Sequence, residues 1–149
     1  MSRRGFTLIE LLVVMAVIGI LLTIATPAFR RALPGAELES SSREIAAVLR
    51  EARSIAIRTN QETGVVFDVE ALSYAVAGGA QQRLGGRITL ALTTAASEQI
   101  SDSAGGIRFF PDGTSTGGRI TVSGANRVRF IVVDWLTGNV EIIKRDEKG

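Results

Sequence analysis

The sequence predicts an α+β protein: a helical N-terminal part, membrane-spanning in its first half and amphipathic in its second, packed on an antiparallel β-sheet domain. Three observations predict it. Residues 5–27 read GFTLIELLVVMAVIGILLTIATP, and the 20 residues from Phe6 to Ala25 would make a helix of about 30 Å, the thickness of a hydrocarbon core. From Leu38 to Thr59 apolar residues recur at helical spacing. Beyond Thr63 the period changes to that of short strands cut by turn residues. The chain therefore divides into a leader (1–5), a membrane-spanning helix (6–27), an amphipathic helical half (28–60) and a β domain (61–149).

Each segment has its own grounds. Ser2, Arg3 and Arg4 precede the apolar stretch, and basic residues there favour a cytoplasmic N-terminus with the remainder outside. A secretory signal peptide has its small-residue cleavage site after the apolar core, whereas Gly5 stands before it. The uninterrupted apolar run is Leu11 to Leu22, and the one charge within the hydrophobic stretch is Glu10. An ionised carboxylate is costly in lipid unless paired, so Glu10 has a purpose beyond anchoring. Pro27 should kink the helix as it leaves the apolar stretch. Arg30 and Arg31 follow, placed against the positive-inside rule. Pro34-Gly35 either ends the helix, with Ser41-x-x-Glu44 as a new capping box, or bends one that continues.

At 100° per residue, Leu38, Ser41, Ile45, Val48, Leu49, Ala52, Ile55, Ala56 and Thr59 fall within about 60° of one line. Arg43, Arg50, Ser54 and Arg58 occupy the opposite half, where truncation of Arg50 should cost little. The polar half mixes Glu44 and Glu51 with arginines, which favours packing on the protein's own sheet over lying on a membrane surface. Val65–Val69 and Leu72–Val76 pair as a hairpin across Glu70-Ala71 and end at Gly78-Gly79. Arg87–Leu92 is a further strand, and Thr93–Gly106, rich in Ser, Ala and Gly, reads as a mobile surface loop. Ile107–Phe110, Arg119–Val122, Val128–Val133 and Val140–Ile143 follow, separated by turns at Pro111-Asp112-Gly113, Ser123-Gly124 and Thr137-Gly138-Asn139. Lys144–Gly149 is expected to be a frayed, charged tail.

Composition removes several classes of function. The chain has 149 residues, room for a membrane helix and one domain of roughly 90 residues. It contains no Cys and no His, so the common zinc sites, Cys/His nucleophilic pairs and the Ser-His-Asp triad are excluded; neither enzyme activity nor a cofactor is expected. Lys and Arg number 17 against 15 Asp and Glu. Loss of Arg3 and Arg4 with the leader would balance them, which argues against nucleic acid as a partner. Arg119, Arg127 and Arg129 could still form a local basic patch, the last two sharing a strand face. The glycine-rich run Gly113–Gly118 resembles a phosphate cradle but lacks the Gly-Lys-Ser/Thr ending and the strand-to-helix setting of a P-loop. Asp112 and Asp134 could act as paired carboxylates or hold calcium, yet each sits beside a turn, where Asp bonds its own backbone. Trp135 is either an interface anchor or a core lid.

The order Arg-Arg-Gly-Phe-Thr-Leu-Ile-Glu-Leu, apolar run and Pro27 resembles the class III signal of type IV pilins and type II secretion pseudopilins. Ala52–Arg58, Ile107–Val122 and Val132–Ile142 resemble the domain shared by H-type minor pseudopilins and FimT/FimU minor pilins. The resemblance covers most of the chain and leaves Gly78–Gly106 unmatched. It implies a pilin-like fold in which the helix is long, continuous and kinked. It further implies that prepilin peptidase cuts between Gly5 and Phe6 and N-methylates Phe6, and that Glu10 faces a neighbouring subunit's N-terminus during assembly. The implied role is a structural minor subunit of the periplasmic type II secretion pseudopilus, which assists export of folded proteins across the outer membrane. Its partners would be the other minor pseudopilins, the major pseudopilin, the peptidase, the inner-membrane assembly platform and, before assembly, membrane lipid. The subunit would sit first in the bacterial inner membrane with its C-terminal domain in the periplasm. A type IV minor pilin of the FimT/FimU kind, with DNA as a partner in uptake, is the alternative; the lack of Cys leans toward secretion.

Overall fold

The structure, a computed structural model, describes residues 7–146; for 22–34 and 146 it describes the backbone alone. Gly5 and Phe6 lie outside the described residues. A single helix, α1, runs from Leu8 to Thr59, so Pro27 and Pro34-Gly35 both fall within helix. The chain divides into two compact units between Leu33 and Pro34.

In the first unit the apolar side chains from Leu8 to Leu21 are exposed, Leu8 at 82%, Ile9 at 72% and Leu21 at 60%. Among the described residues no helix is long and apolar enough to cross a membrane. The expected span over 6–27 draws on Phe6 and on side chains beyond Leu21, which lie outside the described residues.

In the second unit the helix carries the core. Leu38, Ile45, Ala46, Leu49, Ala52 and Ala56 are fully buried, and so is Ser42. The buried face is rotated by about 40° from the expected line: Ser42 and Ala46 are inside, Val48 and Ile55 are half-buried, and Thr59 is exposed. Small side chains at 42 and 46 let the sheets approach the helix closely on that side. The capping box at Ser41 does not form, because the helix continues and both of its members bond to the β domain instead. Ser41 Oγ donates to Gly85 O at 3.1 Å and Glu44 Oε1 accepts from the Tyr74 hydroxyl at 3.0 Å. Asn60, at φ 54°, ends the helix in the left-handed region, with Gln61 N donating to Ala56 O.

Eight strands follow: β1 Thr63–Asp68, β2 Ser73–Val76, β3 Gln82–Arg83, β4 Thr89–Thr94, β5 Ala104–Phe109, β6 Gly118–Gly124, β7 Arg127–Val133 and β8 Val140–Asp146. They form two four-stranded antiparallel sheets, ordered β3-β2-β1-β5 and β4-β6-β7-β8. The first hairpin has the expected register, Phe67 facing Tyr74 and Asp68 facing Ser73. Asp68 Oδ1 closes its turn by accepting from Glu70 N and Ala71 N. Alternation places Val65, Phe67, Ile107, Phe109, Ile120, Val122, Ile131 and Val133 inward, in one cluster with the helix stripe. The helix serves each sheet with a different flank. Glu37, Ser41 and Glu44 bond to Arg87, Gly85 and Tyr74, whereas Glu39, Arg50 and Arg53 bond to β7, β8 and the turns beside them.

Three local expectations need correction. Thr93–Gly106 is not a structureless loop: β4 runs to Thr94, a 3-10 turn spans Ala96–Glu98, and β5 begins at Ala104. Gly105 is there for close approach, since a Cβ on it would meet Leu92 Cδ2 at 2.9 Å and Thr94 Cγ2 at 3.1 Å. Lys144–Asp146 are not part of a frayed tail, because β8 continues to Asp146 in register with β7 and Lys144 Nζ pairs with Glu39 Oε1 at 3.2 Å; residues 147–149 lie outside the described residues. Arg50 is not a free surface group, since its guanidinium donates to Val140 O at 2.8 Å.

Truncating the fully buried Leu49 to Ala should cost about 2–5 kcal/mol through lost burial and the cavity left. Arg50→Ala should cost about 1 kcal/mol by losing its carbonyl partner. Denaturant unfolding of the detergent-solubilised chain measures both, and equal losses would place the core elsewhere.

Candidate assembly surface

Glu10 lies in the first turn of α1, where a carboxylate is favoured by the unpaired helix amides. It is exposed among Leu8, Ile9, Leu11 and Leu12, which are exposed as well. Glu10 N and Leu11 N both donate to Thr7 O, at 3.1 and 3.3 Å. The helix thus presents one acidic group within an apolar surface. Pro27 is helical, and its side chain is outside the description.

At the other end of α1 the two strand-joining turns singled out in the sequence come together under one arginine. Arg53 Nε donates to Gly113 O at 3.0 Å and another of its nitrogens to Thr137 O at 2.9 Å. The rotation of the buried face brings this residue to the rim of the core, within reach of both turns. Ser115 N donates to Trp135 O at 2.9 Å. Gly113, Gly117 and Gly138 have φ of 86°, 72° and 62°. A Cβ on Gly138 would collide with Gly113 O and lie 2.8 Å from Arg53 Nε.

The run Gly113–Gly118 is therefore no phosphate cradle. The amides of Gly113, Thr114, Ser115, Thr116 and Gly117 already donate to Phe110 O, Asp112 Oδ1, Trp135 O, Arg108 O and Ser115 Oγ. Asp112 and Asp134 are likewise committed to their own turns. Asp112 Oδ1 accepts from Thr114 Oγ1 and N, and Asp134 Oδ1 from the amides of Leu136 and Thr137 and from Thr137 Oγ1. These bonds hold both carboxyls below the usual carboxylate range, the Thr114 hydroxyl leading for Asp112 and the Thr137 amide for Asp134. Since the folded values are the depressed ones, these turns are stabilised above the ordinary Asp value near 3.9 and lose that stabilisation as pH falls through the folded value. Among the described residues no group of three or more carboxylates is placed to hold a metal ion.

The three arginines do not form one patch. Arg129 is only 6% exposed and faces inward with Ile131 and Val133, where it meets Glu39 at 3.4 Å and donates to Val128 O at 3.0 Å. Arg119 points to the opposite face, its guanidinium 5.6 Å from the Phe130 ring centre. Arg127 is exposed. Glu39 is a hub that also meets Arg43 at 3.1 Å and Lys144 at 3.2 Å. Lys144 first and then Arg129 hold its carboxyl below the usual range against the opposing effect of burial. Tyr74, pushed up to about 12 by burial and by Glu44, stays protonated and donates. Trp135 is no core lid: it is 65% exposed beside the equally bare Leu136. Sequence periodicity missed Arg53, because its partners are backbone carbonyls 60 and 84 residues away.

An apolar helical segment with a single carboxylate, leading into an antiparallel β domain that wraps the same helix, defines a subunit of the pilin type, and the expected α+β fold is borne out. The fold is shared with the minor pseudopilin EpsH from the type II secretion system of Vibrio cholerae (TM-score 0.58, 14% identity, 72% of this chain and 97% of that one). It is also shared with the type IV minor pilin FimU of Pseudomonas aeruginosa (TM-score 0.53, 15% identity, 74% and 94%). A family model for the prokaryotic N-terminal methylation motif matches residues 1–26, and one for the type II transport protein GspH matches residues 41–137. The type II secretion system protein H of Xanthomonas campestris pv. campestris is 34% identical over 137 residues, which cover 92% of this chain and 81% of that protein. The chain belongs to the GspH family of type II transport proteins.

Gly138→Ala should destabilise the domain by about 1–3 kcal/mol, since it combines a left-handed backbone with a collision. Ala at Gly85, where a Cβ meets nothing within 4 Å, should be close to neutral. Thermal melts followed by circular dichroism decide; a neutral Gly138→Ala would show that the two turns are free to separate.

Proposed function

We propose that this chain is a structural minor pseudopilin of a type II secretion system, a subunit of the periplasmic pseudopilus that assists export of folded proteins across the outer membrane. The observation that carries the reading is the exposed apolar helix surface from Leu8 to Leu21, joined to the methylation motif. Apolar residues all round a helix need a non-aqueous surrounding, and a surface of this extent marks an interaction site. A bilayer supplies it first, and a filament core built of similar helices supplies it after assembly. The 34% identity to a secretion protein H supports this reading over a type IV minor pilin, whose fold is the same. The role is assembly and not catalysis. The partners are the other pseudopilins, the peptidase, the assembly platform and lipid, and the N-terminus lies on the cytoplasmic side of the inner membrane.

Within this reading prepilin peptidase cuts between Gly5 and Phe6 and methylates Phe6, and Pro27 kinks the helix beyond the apolar stretch. Removal of the leader leaves a Phe6 amine four residues before Glu10, and Glu10 meets the corresponding amine of an adjacent subunit. Attraction between the two charges strengthens as the effective dielectric falls from that of water, so the pairing acts most strongly inside the apolar filament.

Replacing Gly5 with Leu should leave the leader attached, because a side chain there blocks close passage of the backbone through the peptidase. Intact-mass measurement checks this, and a native chain still beginning at Met1 or Ser2 in peptidase-positive cells would overturn the assignment. Glu10→Ala should be made, inserted and cleaved normally but recovered poorly with its filament partners. Wild-type co-purification with undiminished secretion would remove Glu10 from the assembly contact.

A further inference from the structure

The sheet β4-β6-β7-β8 ends on a strand with one side unpaired. β8 pairs with β7 through all seven of its residues, Val140 to Asp146, and among the described residues no strand lies along its other side. An open edge of this length is a template for another strand. The hairpin decides which backbone groups that edge presents. Asp134 N donates to Asn139 O at 3.0 Å, and from that pair hydrogen-bonded and non-hydrogen-bonded pairs alternate. Glu141, Ile143 and Arg145 therefore bond to β7, whereas Val140, Ile142 and Lys144 turn their N–H and C=O groups to the open side. The bond from Arg50 to Val140 O agrees with this alternation. It caps that carbonyl from the helix and leaves Ile142 and Lys144 as the pairing residues.

The outer face of β8 is complementary to itself. Glu141, Ile143 and Arg145 are all exposed, Ile143 at 49%, and they read acid, apolar, base at alternate positions. Laid antiparallel on a second copy about Ile143, Glu141 falls opposite the second copy's Arg145, and Arg145 opposite its Glu141. Opposite charges so placed stabilise a strand pair. Glu141 Oε1 also accepts from Asn139 Nδ2 at 3.0 Å, which fixes the carboxylate without neutralising it. Ile143 falls opposite Ile143, and because Ile143 faces Phe130 across β7, an apolar row continues from one copy into the other. Ile142 falls opposite Lys144, and both turn their backbone groups to the open side, so the two exchange N–H···O bonds. Neighbouring registers lose these matches. A slip by one residue sets a residue bonded to β7 opposite one turned outward. A slip by two sets Lys144 opposite Lys144 in one direction and Glu141 opposite Ile143 in the other, without the ion pairs.

We propose that β8 pairs with β8 of a second copy of this chain, antiparallel about Ile143, and joins two domains through one continuous sheet. Such a contact is isologous, so it closes on itself as a dimer and removes the open edge from both copies. The pair belongs outside the filament. Glu39 meets Lys144 and Arg50 meets Val140, so the helical stripe that carries the core runs opposite to β8, and a two-fold that reverses β8 reverses that stripe as well. Subunits of one filament repeat in a single direction. The pair is therefore a resting form that opens before incorporation, and this last step alone rests on the pseudopilin reading.

Because the chain has no Cys, a single introduced thiol reports this contact alone. Ile143→Cys places two thiols at the two-fold, across a non-hydrogen-bonded pair whose Cα atoms lie about 4.5 Å apart, within disulfide reach. Mild oxidation of the full chain, in membranes and in detergent, should convert most of it to a covalent homodimer on non-reducing gels. Glu141→Cys and Arg145→Cys should each stay monomeric alone and cross-link when the two chains are co-expressed. Glu70→Cys, exposed on the turn of the other sheet, should stay monomeric. Absence of the Ile143→Cys homodimer would overturn the proposal, as would equal cross-linking by Glu70→Cys. A cross-link from Ile143→Cys to a different protein would overturn it too, by making β8 a docking edge for another subunit. Glu141→Arg added to Ile143→Cys should lower the dimer yield severalfold, and Arg145→Glu added to both should restore it; no rescue would overturn the register. The oxidised dimer should be missing from filament fractions until the disulfide is reduced, and its recovery there would overturn the resting-form assignment. Cross-linking reads the pair whatever the chain assembles into, whereas co-purification of Glu10→Ala reads the pseudopilin function, so the two fail separately.

Discussion

The β domain depends on one line of contact, the buried stripe of the helix from Leu38 to Ala56. Leu38, Ile45, Leu49, Ala52 and Ala56 have no exposed surface, and residues of both sheets join them in a single cluster. Two four-stranded sheets of this size cannot bury their inner faces on each other and on the helix independently, so the helix is the common wall. Small residues along it matter as much as large ones. Ser42, Ala46, Ala52 and Ala56 let strands approach, while Leu38, Ile45 and Leu49 fill the volume between them.

Polar groups on the two flanks of this stripe fix what apolar packing leaves free. Burial alone tolerates sliding of a sheet along a helix, because the hydrophobic effect is not directional. Hydrogen bonds and ion pairs are directional. Glu44 with Tyr74 and Ser41 with Gly85 set one sheet in register, and Glu39 with Arg129 and Lys144 sets the other. Arg53 locks the far end by holding the Gly113 and Thr137 carbonyls. The same helix that carries the core of the domain also carries the exposed apolar residues from Leu8 to Leu21.

The outer surfaces differ from end to end. Near Gly35 and Glu37 the exposed charges include Arg87 and Arg127; at the far end Asp112 and Asp134 close their turns beside Trp135 and Leu136.

Local pattern carried a large part of this in the sequence. The apolar run with Glu10, the helical period from Leu38 to Thr59, the first hairpin and the turns at Asp112 and Asp134 were all legible, because each depends on residues within a few positions of one another. Tertiary structure decided what depends on residues far apart. It turned the buried face toward Ser42 and Ala46, made a strand of Ala104-Gly105-Gly106 where composition suggested a loop, and extended β8 through Lys144. It also buried Arg129 against Glu39, 90 residues away. Strand alternation marks which positions share a face, but which face is covered, and by which distant charge, depends on chain segments that meet only when the sheets close on the helix.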